Sequence, residues 1–340
     1  MRTKRSESIP NGNSSELALV ERIRRRAARS ANAGLVLGIG DDCALLRVKK
    51  GETLAVTTDL SIAGRHFRLD WHPPEAVGHR TLARGLSDLA AMGARPLAAF
   101  LSIGLPREIT VGRGRSRAWV DRFFDGFLDL AGRYKTPLAG GDLAESSVLV
   151  ADIVLVGAVP RGKALLRSGA RPGDLLFVTG ALGGAAAGLE KLKKLPGRLG
   201  AGIRHTKEAL LTHHLWPEPR IAQGLWLRRR EAATAGIDLS DGLSTDLDHL
   251  CQESGVSAEI DAEAIPIHAG ASLDQALHGG EDYELLFAAR PNAAIPRSIA
   301  GISVTKIGRI VKNCMGQPRV VVHTRSGRQP LERRGWEHFS

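Results

Sequence analysis

The sequence has few cysteines and few aromatic residues, which excludes several classes of site. Its three cysteines, Cys43, Cys251 and Cys314, lack the spacing of a metal site, and an odd number argues against a disulfide framework. We therefore expect a reducing, cytoplasmic environment. Aromatic residues make up only 4% of the chain, whereas glycine occurs 39 times. This balance favours an α/β protein with close backbone contacts over an aromatic-rich binding surface.

Long apolar runs are also missing. No run reaches the length of a transmembrane helix, and the segment LLFVTGALGGAAAGL is short and rich in glycine. The basic start of the chain is not followed by the apolar segment of a secretory signal. We therefore expect no association with a membrane. With 340 residues and 43% hydrophobic composition, the chain is long enough for two globular domains.

Acidic residues are outnumbered, and the basic excess is local. The net charge is +11, and residues 161–230 contain 14 lysines and arginines but only 4 acidic residues. A basic excess can indicate nucleic-acid binding, but no aromatic residues interleave with the arginines of RIRRRAAR or WLRRRE. A solvated basic surface is therefore favoured over contact with nucleic acid, and attraction of an anionic small substrate is the third interpretation.

Helical and strand-like segments alternate in both halves, which predicts an α/β or α+β protein of two domains. Periodicity predicts helices over Glu16–Arg29, Pro74–Met92, Trp119–Tyr134 and Asp241–Gly255. Strands are predicted at LVLGIGDD, TLAVTTDL, PLAAFLSIGLP, VLVADIVLVGAVP, LLFVTG and YELLFAA, among others. The segment PRGKALLRSGARPGD is typical of a linker. We therefore expect a flexible tail at 1–14, an N-terminal domain at 15–160 and a C-terminal domain at 161–340.

Carboxylates recur beside glycine, serine or threonine where strands end or helices begin. The motifs are Gly40-Asp41-Asp42, Thr57-Thr58-Asp59, Ser87-Asp88, Gly141-Asp142, Asp238-Leu239-Ser240-Asp241 and Gly280-Glu281-Asp282. Carboxylates with hydroxyls and water are the ligands of a hard cation, and Mg²⁺ suits one or two carboxylates plus phosphate oxygens. The glycines of GIGDDCALL are typical of a phosphate loop, yet its aspartates would repel a phosphate. A Mg²⁺ ion between them resolves this conflict.

Each motif taken alone also has a purely structural interpretation. These are Asp41 and Asp42 as turn residues, Asp88 as the partner of Arg84 on an exposed helix, Asp241 as a helix N-cap, Thr58 as an ordinary strand residue, His66 as a core or surface histidine and Trp336 as a packing anchor. The occurrence of all these motifs in order along one chain favours the functional interpretation.

This ordered set resembles the thiamine-monophosphate kinase family of the aminoimidazole-ribonucleotide-synthetase-like ATP-binding superfamily. The matching blocks are GIGDDCALL, TTDLSIAGRHF, ARGLSDLAAMGARP, AGGD, LRSGARPGD, IDLSDGLSTDL, GGEDYELLF and GWEHF, and they extend from about residue 16 to 339. The chain departs from the family pattern at Leu143-Ala144-Glu145-Ser146, where a Thr-rich run is expected. No phosphate contact is assigned there.

The resemblance implies an N-terminal mixed sheet with helices that pairs across a homodimer, and a C-terminal α/β sandwich that closes over it. It implies phosphorylation of thiamine monophosphate by ATP with several Mg²⁺ ions. The implied Mg²⁺ ligands are Asp42, Thr57, Thr58, Asp59, Asp88, Asp142, Asp238 and Asp241. The implied ATP contacts are Gly141, Asp142, Arg167 and Ser240, and the implied contacts to thiamine monophosphate are His66, Glu281 and Trp336.

The acceptor in this reaction is a phosphate monoester with a second pKa near 6, so it needs no strong general base. We therefore expect direct in-line transfer that depends on positioning and on charge neutralisation through Asp42, Asp88 and Asp142. Selenophosphate synthetase is the nearest alternative, but its family has a reactive cysteine before the first Gly-Asp motif and none precedes Cys43 here. A polyanion- or nucleic-acid-binding protein is the alternative from another class.

Overall fold

The computed structural model describes residues 16–28, 32–112, 117–195 and 208–335, and confirms the mixed α/β class. Its helices are α1 (Glu16–Ala27), α2 (Pro74–Ala91), α3 (Trp119–Arg133), α4 (Gly184–Lys194), α5 (Ala209–Leu215), α6 (Ile221–Arg229), α7 (Leu243–Ser254) and α8 (Leu273–His278). Its strands are β1 (Leu35–Leu37), β2 (Leu45–Leu46), β3 (Glu52–Ile62), β4 (Arg95–Leu105), β5 (Leu138–Glu145), β6 (Val150–Pro160), β7 (Leu175–Thr179), β8 (Ala235–Asp238), β9 (Ser257–Asp261), β10 (Leu285–Ala289), β11 (Ser298–Ile299), β12 (Ile302–Val311), β13 (Val320–Thr324) and β14 (Gly327–Pro330).

The N-terminal half is a four-stranded mixed sheet in the order β3-β6-β4-β5, in which only β4 and β5 are parallel. Helix α2 packs against this sheet and against α3. Two glycines permit the close approach of the two helices. A Cβ at Gly78 would lie 1.9 Å from the carbonyl oxygen of Phe123, and one at Gly126 would lie 1.8 Å from that of Glu75. The core beneath these helices contains Leu82.

Strand β3 lies at the edge of this sheet and has two different faces. Its side chains alternate in direction, as in any strand. Thr57 and Asp59 point inward, whereas Leu54, Val56 and Thr58 are exposed on the opposite face. The inward face therefore carries polar groups toward α2, and the outward face is apolar.

The C-terminal half is a mixed sheet in the order β14-β13-β9-β12-β7-β10-β8, with β11 added beside β12. Helix α7 packs against β8, β9 and β13, and its Leu247 and Leu250 lie in the core of this half. Strand β8 ends at Asp238 and the loop after it leads into α7. This geometry places the turn Asp238–Gly242 at the end of a buried strand.

The structure refines several sequence predictions. Helix α2 begins at Pro74 and ends at Ala91, one residue before the predicted end, and Gly93 adopts φ +62° after it. The predicted strand LVLGIGDD forms a strand only over Leu35–Leu37, followed by an isolated bridge between Ile39 and Asp41. No described helix is both long and apolar enough to span a membrane. The predicted tail at 1–14 and Trp336 lie outside the described residues.

Candidate active site

Half of the predicted site residues line one cavity between the two halves of the chain. This central cavity has a volume of about 550 Å³. The N-terminal half contributes Asp59, His66, Arg84 and Asp88, and the C-terminal half contributes Asp238, Ser240, Asp241 and Glu281. Residues that are 150 to 222 positions apart in sequence therefore line the same cavity.

Three other predicted residues line a separate cavity. This second cavity, of about 490 Å³, contains Asp42, Gly141 and Asp142, and both carboxylates are exposed. Gly141 has φ +150°, and a Cβ there would lie 1.9 Å from the carbonyl oxygen of Leu101. Glycine is therefore needed where β5 pairs with β4. The predicted ligand set is thus divided between two cavities in the single chain.

Hydroxyl and guanidinium groups orient the carboxylates of the central cavity. The Thr57 hydroxyl donates to Asp88 Oδ2, and the Ser87 hydroxyl donates to Asp238 Oδ2 at 2.7 Å. Arg84 Nη2 lies 3.3 Å from Asp59 Oδ1. Arg84 therefore pairs with Asp59 across the α2–β3 contact. The exposed helix-surface interpretation of Asp88 does not fit, because Asp88 is half-buried and bound to Thr57.

These carboxylates are close enough to disfavour one another's charge. Burial, followed by the charge of Asp88 among other groups, raises the pKa of Asp59 to about 6. Burial and the charge of Asp238 raise the pKa of Asp88 to about 6. Burial also raises the pKa of Asp238, whose Oδ2 accepts the Ser87 hydrogen bond. A cation in this cluster would relieve the repulsion.

The donor set fits a hard cation whose coordination is completed by other ligands. Among the residues that the structure describes, no group of three or more His, Cys, Asp or Glu side chains could hold a metal ion by itself. Mg²⁺ commonly binds one or two carboxylates and takes its other ligands from phosphate oxygens and water. The pairs Asp59–Asp88 and Asp88–Asp238 suit such a site better than a closed protein cage.

Two predicted residues lie apart from this cluster. The Thr58 side chain is on the exposed face of β3, opposite to Asp59. Arg167 is exposed, but its charge still lowers the pKa of Asp88 and of Asp238. Arg167 is therefore near enough to attract anions to the same carboxylates, whereas Thr58 is not brought to the central cavity.

Asp246, which the sequence analysis did not select, organises the loop that carries Ser240 and Asp241. Its Oδ2 accepts hydrogen bonds from the backbone N–H groups of Ser240, Asp241 and Gly242 at 3.1, 3.0 and 3.0 Å. Gly242, not Asp241, occupies the N-cap position of α7. The helix N-terminus therefore binds a carboxylate of the chain itself. The only sign of this role in the sequence is that Asp246 is an acidic residue in the first turn of an apolar helix.

The loop GGEDYEL adopts an unusual backbone against the Asp238–Gly242 loop. Glu281 has φ +69° and Tyr283 has φ +52°, in the left-handed region that non-glycine residues rarely occupy. The N–H of Glu281 donates to Ser240 O at 2.8 Å. A Cβ at Gly280 would lie 2.6 Å from the same oxygen, so glycine permits this contact. Such strain is common at binding sites.

The three acidic residues of this loop have different roles. Glu281 lines the central cavity, and its Oε1 lies 2.5 Å from Arg80 Nη2. Burial opposes ionisation of Glu281, but Arg80 and its neighbours lower its pKa to about 2. Asp282 instead accepts the backbone N–H of Gly183 at 2.6 Å at the start of α4. Glu284 is buried and forms an ion pair with Arg220.

His66 lines the central cavity, and the end of the described chain contacts the loop that carries Asp241. His66 Nδ1 accepts the backbone N–H of Ile62 at 3.0 Å, and its ring lines the cavity wall. Gly335 N donates to Thr245 Oγ1 at 3.2 Å, and a Cβ at Gly335 would lie 2.1 Å from Asp241 O. The last described residue is therefore in contact with the Asp238–Gly242 loop.

Comparison with known proteins identifies the family of this chain. Models of the AIR synthase related protein N-terminal and C-terminal domains match residues 40–159 and 171–320. The thiamine-monophosphate kinase of Escherichia coli (strain K12) is 38% identical over 338 residues, which cover 96% of this chain and 98% of the relative.

Solved structures give the same result. The thiamine-monophosphate kinase of Stenotrophomonas maltophilia K279a superposes with a TM-score of 0.76 at 37% identity, over 91% of this chain and 96% of that one. AaThiL complexed with AMPPCP and TMP superposes with a TM-score of 0.72 at 32% identity, over 98% of this chain and 100% of that one. This chain therefore belongs to the thiamine-monophosphate kinase family, within the AIR synthase related proteins.

Proposed function

We propose that this protein transfers a phosphoryl group from ATP directly to thiamine monophosphate, in a Mg²⁺-dependent reaction that forms thiamine diphosphate. The central cavity carries the proposal, because it brings Asp59, Asp88 and Asp238 opposite Glu281 across the junction of the two halves. The relative AaThiL, which was solved with AMPPCP and TMP, has the same fold over the whole chain. Two ligands of this kind require a site that can accept several negative charges.

The chemistry depends on positioning rather than on a strong base. The acceptor phosphate is largely ionised near neutral pH, so no side chain needs to remove a proton. Bound Mg²⁺ would neutralise phosphate charge and polarise the group in transfer. The residues proposed to hold it are Asp42, Thr57, Asp59, Asp88, Asp142, Asp238 and Asp241. Thr58, which the sequence also suggested, is left out because its side chain lies on the opposite face of β3. Thr57 and Ser87 fix the orientation of two of these carboxylates through their hydroxyls.

The two substrates are proposed to approach the carboxylates from different sides. Gly141, Asp142, Arg167 and Ser240 are the proposed ATP contacts, and Arg167 supplies positive charge there. His66, Glu281 and Trp336 are the proposed contacts to thiamine monophosphate. Glu281 remains ionised beside Arg80, and a carboxylate suits the amino group and the positive ring of thiamine.

We further propose a cytoplasmic homodimer in which residues 161–340 close over residues 15–160. The exposed apolar face of β3 supports the dimer, since Leu54, Val56 and Leu60 are 46%, 62% and 46% exposed on an edge strand. The cysteines Cys43, Cys251 and Cys314 form no disulfide, which supports a reducing compartment.

The decisive experiment measures ADP release from Mg-ATP with thiamine monophosphate, and with thiamine and selenide as controls. We expect turnover with thiamine monophosphate alone. Activity with free thiamine but not with its monophosphate would overturn the proposed substrate. A labelled enzyme trapped after incubation with γ-³²P-ATP alone would overturn direct transfer, because it would reveal a covalent intermediate.

A further inference from the structure

Two buried histidines, His72 and His214, line the central cavity, and the proposed reaction gives them no role. His72 precedes α2 and His214 lies in α5, and they are 3% and 1% exposed. Their Nε2 atoms are 3.0 Å apart. A hydrogen bond between two imidazole nitrogens requires one protonated and one bare nitrogen. The pair can therefore order its protons in two ways: either His72 Nε2 donates to His214 Nε2, or His214 Nε2 donates to His72 Nε2.

Both rings are neutral at physiological pH, so each carries a single proton. Burial, followed by the charge of Arg80, lowers the pKa of His72 to about 3. The same two causes lower the pKa of His214 well below its ordinary value. Because neither ring has a second proton, the tautomer of one ring determines the tautomer of the other.

The backbone beside His72 selects one of the two orders. The N–H of Arg68 points at His72 Nδ1 from 3.1 Å, and no other acceptor is found for it in the described part of the chain. The carbonyl oxygen of Arg68 is also 3.2 Å from Nδ1, but it already accepts the N–H groups of Trp71 and His72. His72 Nδ1 is therefore the acceptor, and its proton lies on Nε2.

The other end of the pair selects the same order. If His72 Nε2 donates to His214 Nε2, the proton of His214 must lie on Nδ1. That atom is buried, makes no hydrogen bond within the limits of normal geometry, and lies 3.9 Å from Glu281 Oε2. In the reverse order a bare nitrogen would face the Glu281 carboxylate, which is repulsive.

We propose that His72 and His214 are positioning residues that hold Glu281 for thiamine monophosphate. In the proposed proton order, Arg68 N–H donates to His72 Nδ1, His72 Nε2–H donates to His214 Nε2, and His214 Nδ1–H faces Glu281. Arg80 already binds Glu281 Oε1 at 2.5 Å, so Nδ1–H of His214 acts on the other oxygen. The carboxylate thus has a hydrogen bond from Arg80 on one oxygen and the Nδ1–H dipole of His214 at 3.9 Å from the other. Arg80 also donates to the backbone oxygen of His214, and a side-chain substitution leaves that contact in place.

The proton order can be measured directly on the full-length wild-type protein. Long-range ¹H–¹⁵N spectra of the imidazole rings at neutral pH should show His72 protonated on Nε2 and His214 protonated on Nδ1. The assignment uses His72→Phe, in which His214 should lose its fixed tautomer. Reversed tautomers, or a charged ring at either position, would overturn the proposal. This measurement does not depend on what the enzyme phosphorylates.

The kinetic test rests on the proposed function and uses amides that imitate single ring nitrogens. His214→Gln keeps a polar group toward His72 but lacks the donor toward Glu281, whereas His214→Asn keeps a donor at the δ position. We expect His214→Gln to raise KM for thiamine monophosphate about threefold, with KM for ATP unchanged. This is less than the effect of a full hydrogen bond to a charged group, because Nδ1 lies 3.9 Å from Glu281 Oε2. His214→Asn should raise it less.

His79→Gln is the matched control, because His79 is equally buried on α2 but its Nε2 hydrogen-bonds to Pro217 O, at 2.8 Å, and not to His214. It should leave both KM values unchanged. Unchanged KM for thiamine monophosphate in a folded His214→Gln protein, or a larger defect in His214→Asn, would overturn the positioning role. If the wild type fails to use thiamine monophosphate, the proposed function fails while the tautomer spectra still decide the proton order.

Discussion

At the scale of single residues, Asp88 connects both halves of the candidate site. It accepts a hydrogen bond from Thr57 and repels Asp238, which belongs to the other half of the chain. We expect Asp88→Asn to lower kcat at least about a hundredfold, since it removes a charge that acts on the group in transfer. The measurement is ADP release at saturating Mg²⁺ and both substrates. A kcat near that of the wild type would show that Asp88 is only a structural charge.

The same substitution should not destabilise the metal-free protein. Because the pKa of Asp88 is raised to about 6 in the folded state, its ionised form opposes folding at pH 8. Asparagine lacks this charge and can still accept from Thr57. A Tm equal to or above that of the wild type, measured in EDTA, would therefore separate lost catalysis from lost folding.

His79 predicts a specific dependence of stability on pH. Burial lowers its pKa to about 4, although its Nε2 binds Pro217 O at 2.8 Å. Between pH 6.5 and 4 the unfolded chain binds a proton here that the folded chain does not, so stability falls as pH falls. His79→Gln removes this effect. The wild type should lose up to about 3 kcal/mol more than the variant between these pH values. Equal losses in urea unfolding would contradict the prediction.

At the scale of elements, the loop after β8 depends on Asp246. One oxygen of this buried side chain accepts three successive backbone N–H groups that precede α7. Asp246→Ala would leave these donors without a partner, and we expect kcat/KM to fall at least about tenfold together with a loss of about 2 kcal/mol in stability. Asp246→Asn, which keeps an acceptor oxygen, should lose less. Steady-state kinetics and chemical unfolding measure the two effects.

The control for this prediction is Asp261→Ala. Asp261 also accepts a backbone N–H, that of Glu263 at 3.0 Å, but it is exposed and far along the sheet from the loop. Its substitution should leave kcat/KM unchanged. If Asp246→Ala behaved like this control, the loop would be fixed by other contacts.

The sequence predicted those elements whose pattern is local. Helix α2 was predicted within one residue, because its apolar period, the proline in its first turn and Gly93 all lie within one window. Strands β9 and β12 were not predicted, although β12 is central to the C-terminal sheet. The short β9 and the mixed β12, which contains Lys306 and Arg309, lack a continuous apolar run and are buried only by their neighbours.

The candidate site shows the same limit. The Gly-Asp and Ser-Asp motifs were visible because each is contiguous, and most of them do meet in the central cavity. The pairing of Arg84 with Asp59 and of Arg80 with Glu281 joins residues 25 and 201 positions apart. Helical spacing instead suggested that Arg84 would pair with Asp88. Partners set by tertiary packing leave no local signal in one sequence.

At the scale of the whole molecule, the exposed face of β3 predicts how two chains associate. Val56 is 62% exposed and lies between Leu54 and Leu60 on strand β3. This strand is at the edge of its sheet, and among the described strands it pairs with β6 alone. An apolar edge of this kind favours association with a second copy through a two-fold contact. We expect the wild type to be a dimer in size-exclusion chromatography with light scattering, and Val56→Glu to be a monomer with reduced activity.

Met315→Glu is the matched control, because Met315 is fully exposed on the C-terminal half, outside this face. It adds the same charge and should leave the protein dimeric. The side chain of Val56 points away from Asp59 and Asp88, so a glutamate there does not enter the central cavity. Loss of activity in a monomeric Val56→Glu protein would therefore show that the site depends on the second chain. A dimeric Val56→Glu protein would place the interface on another surface.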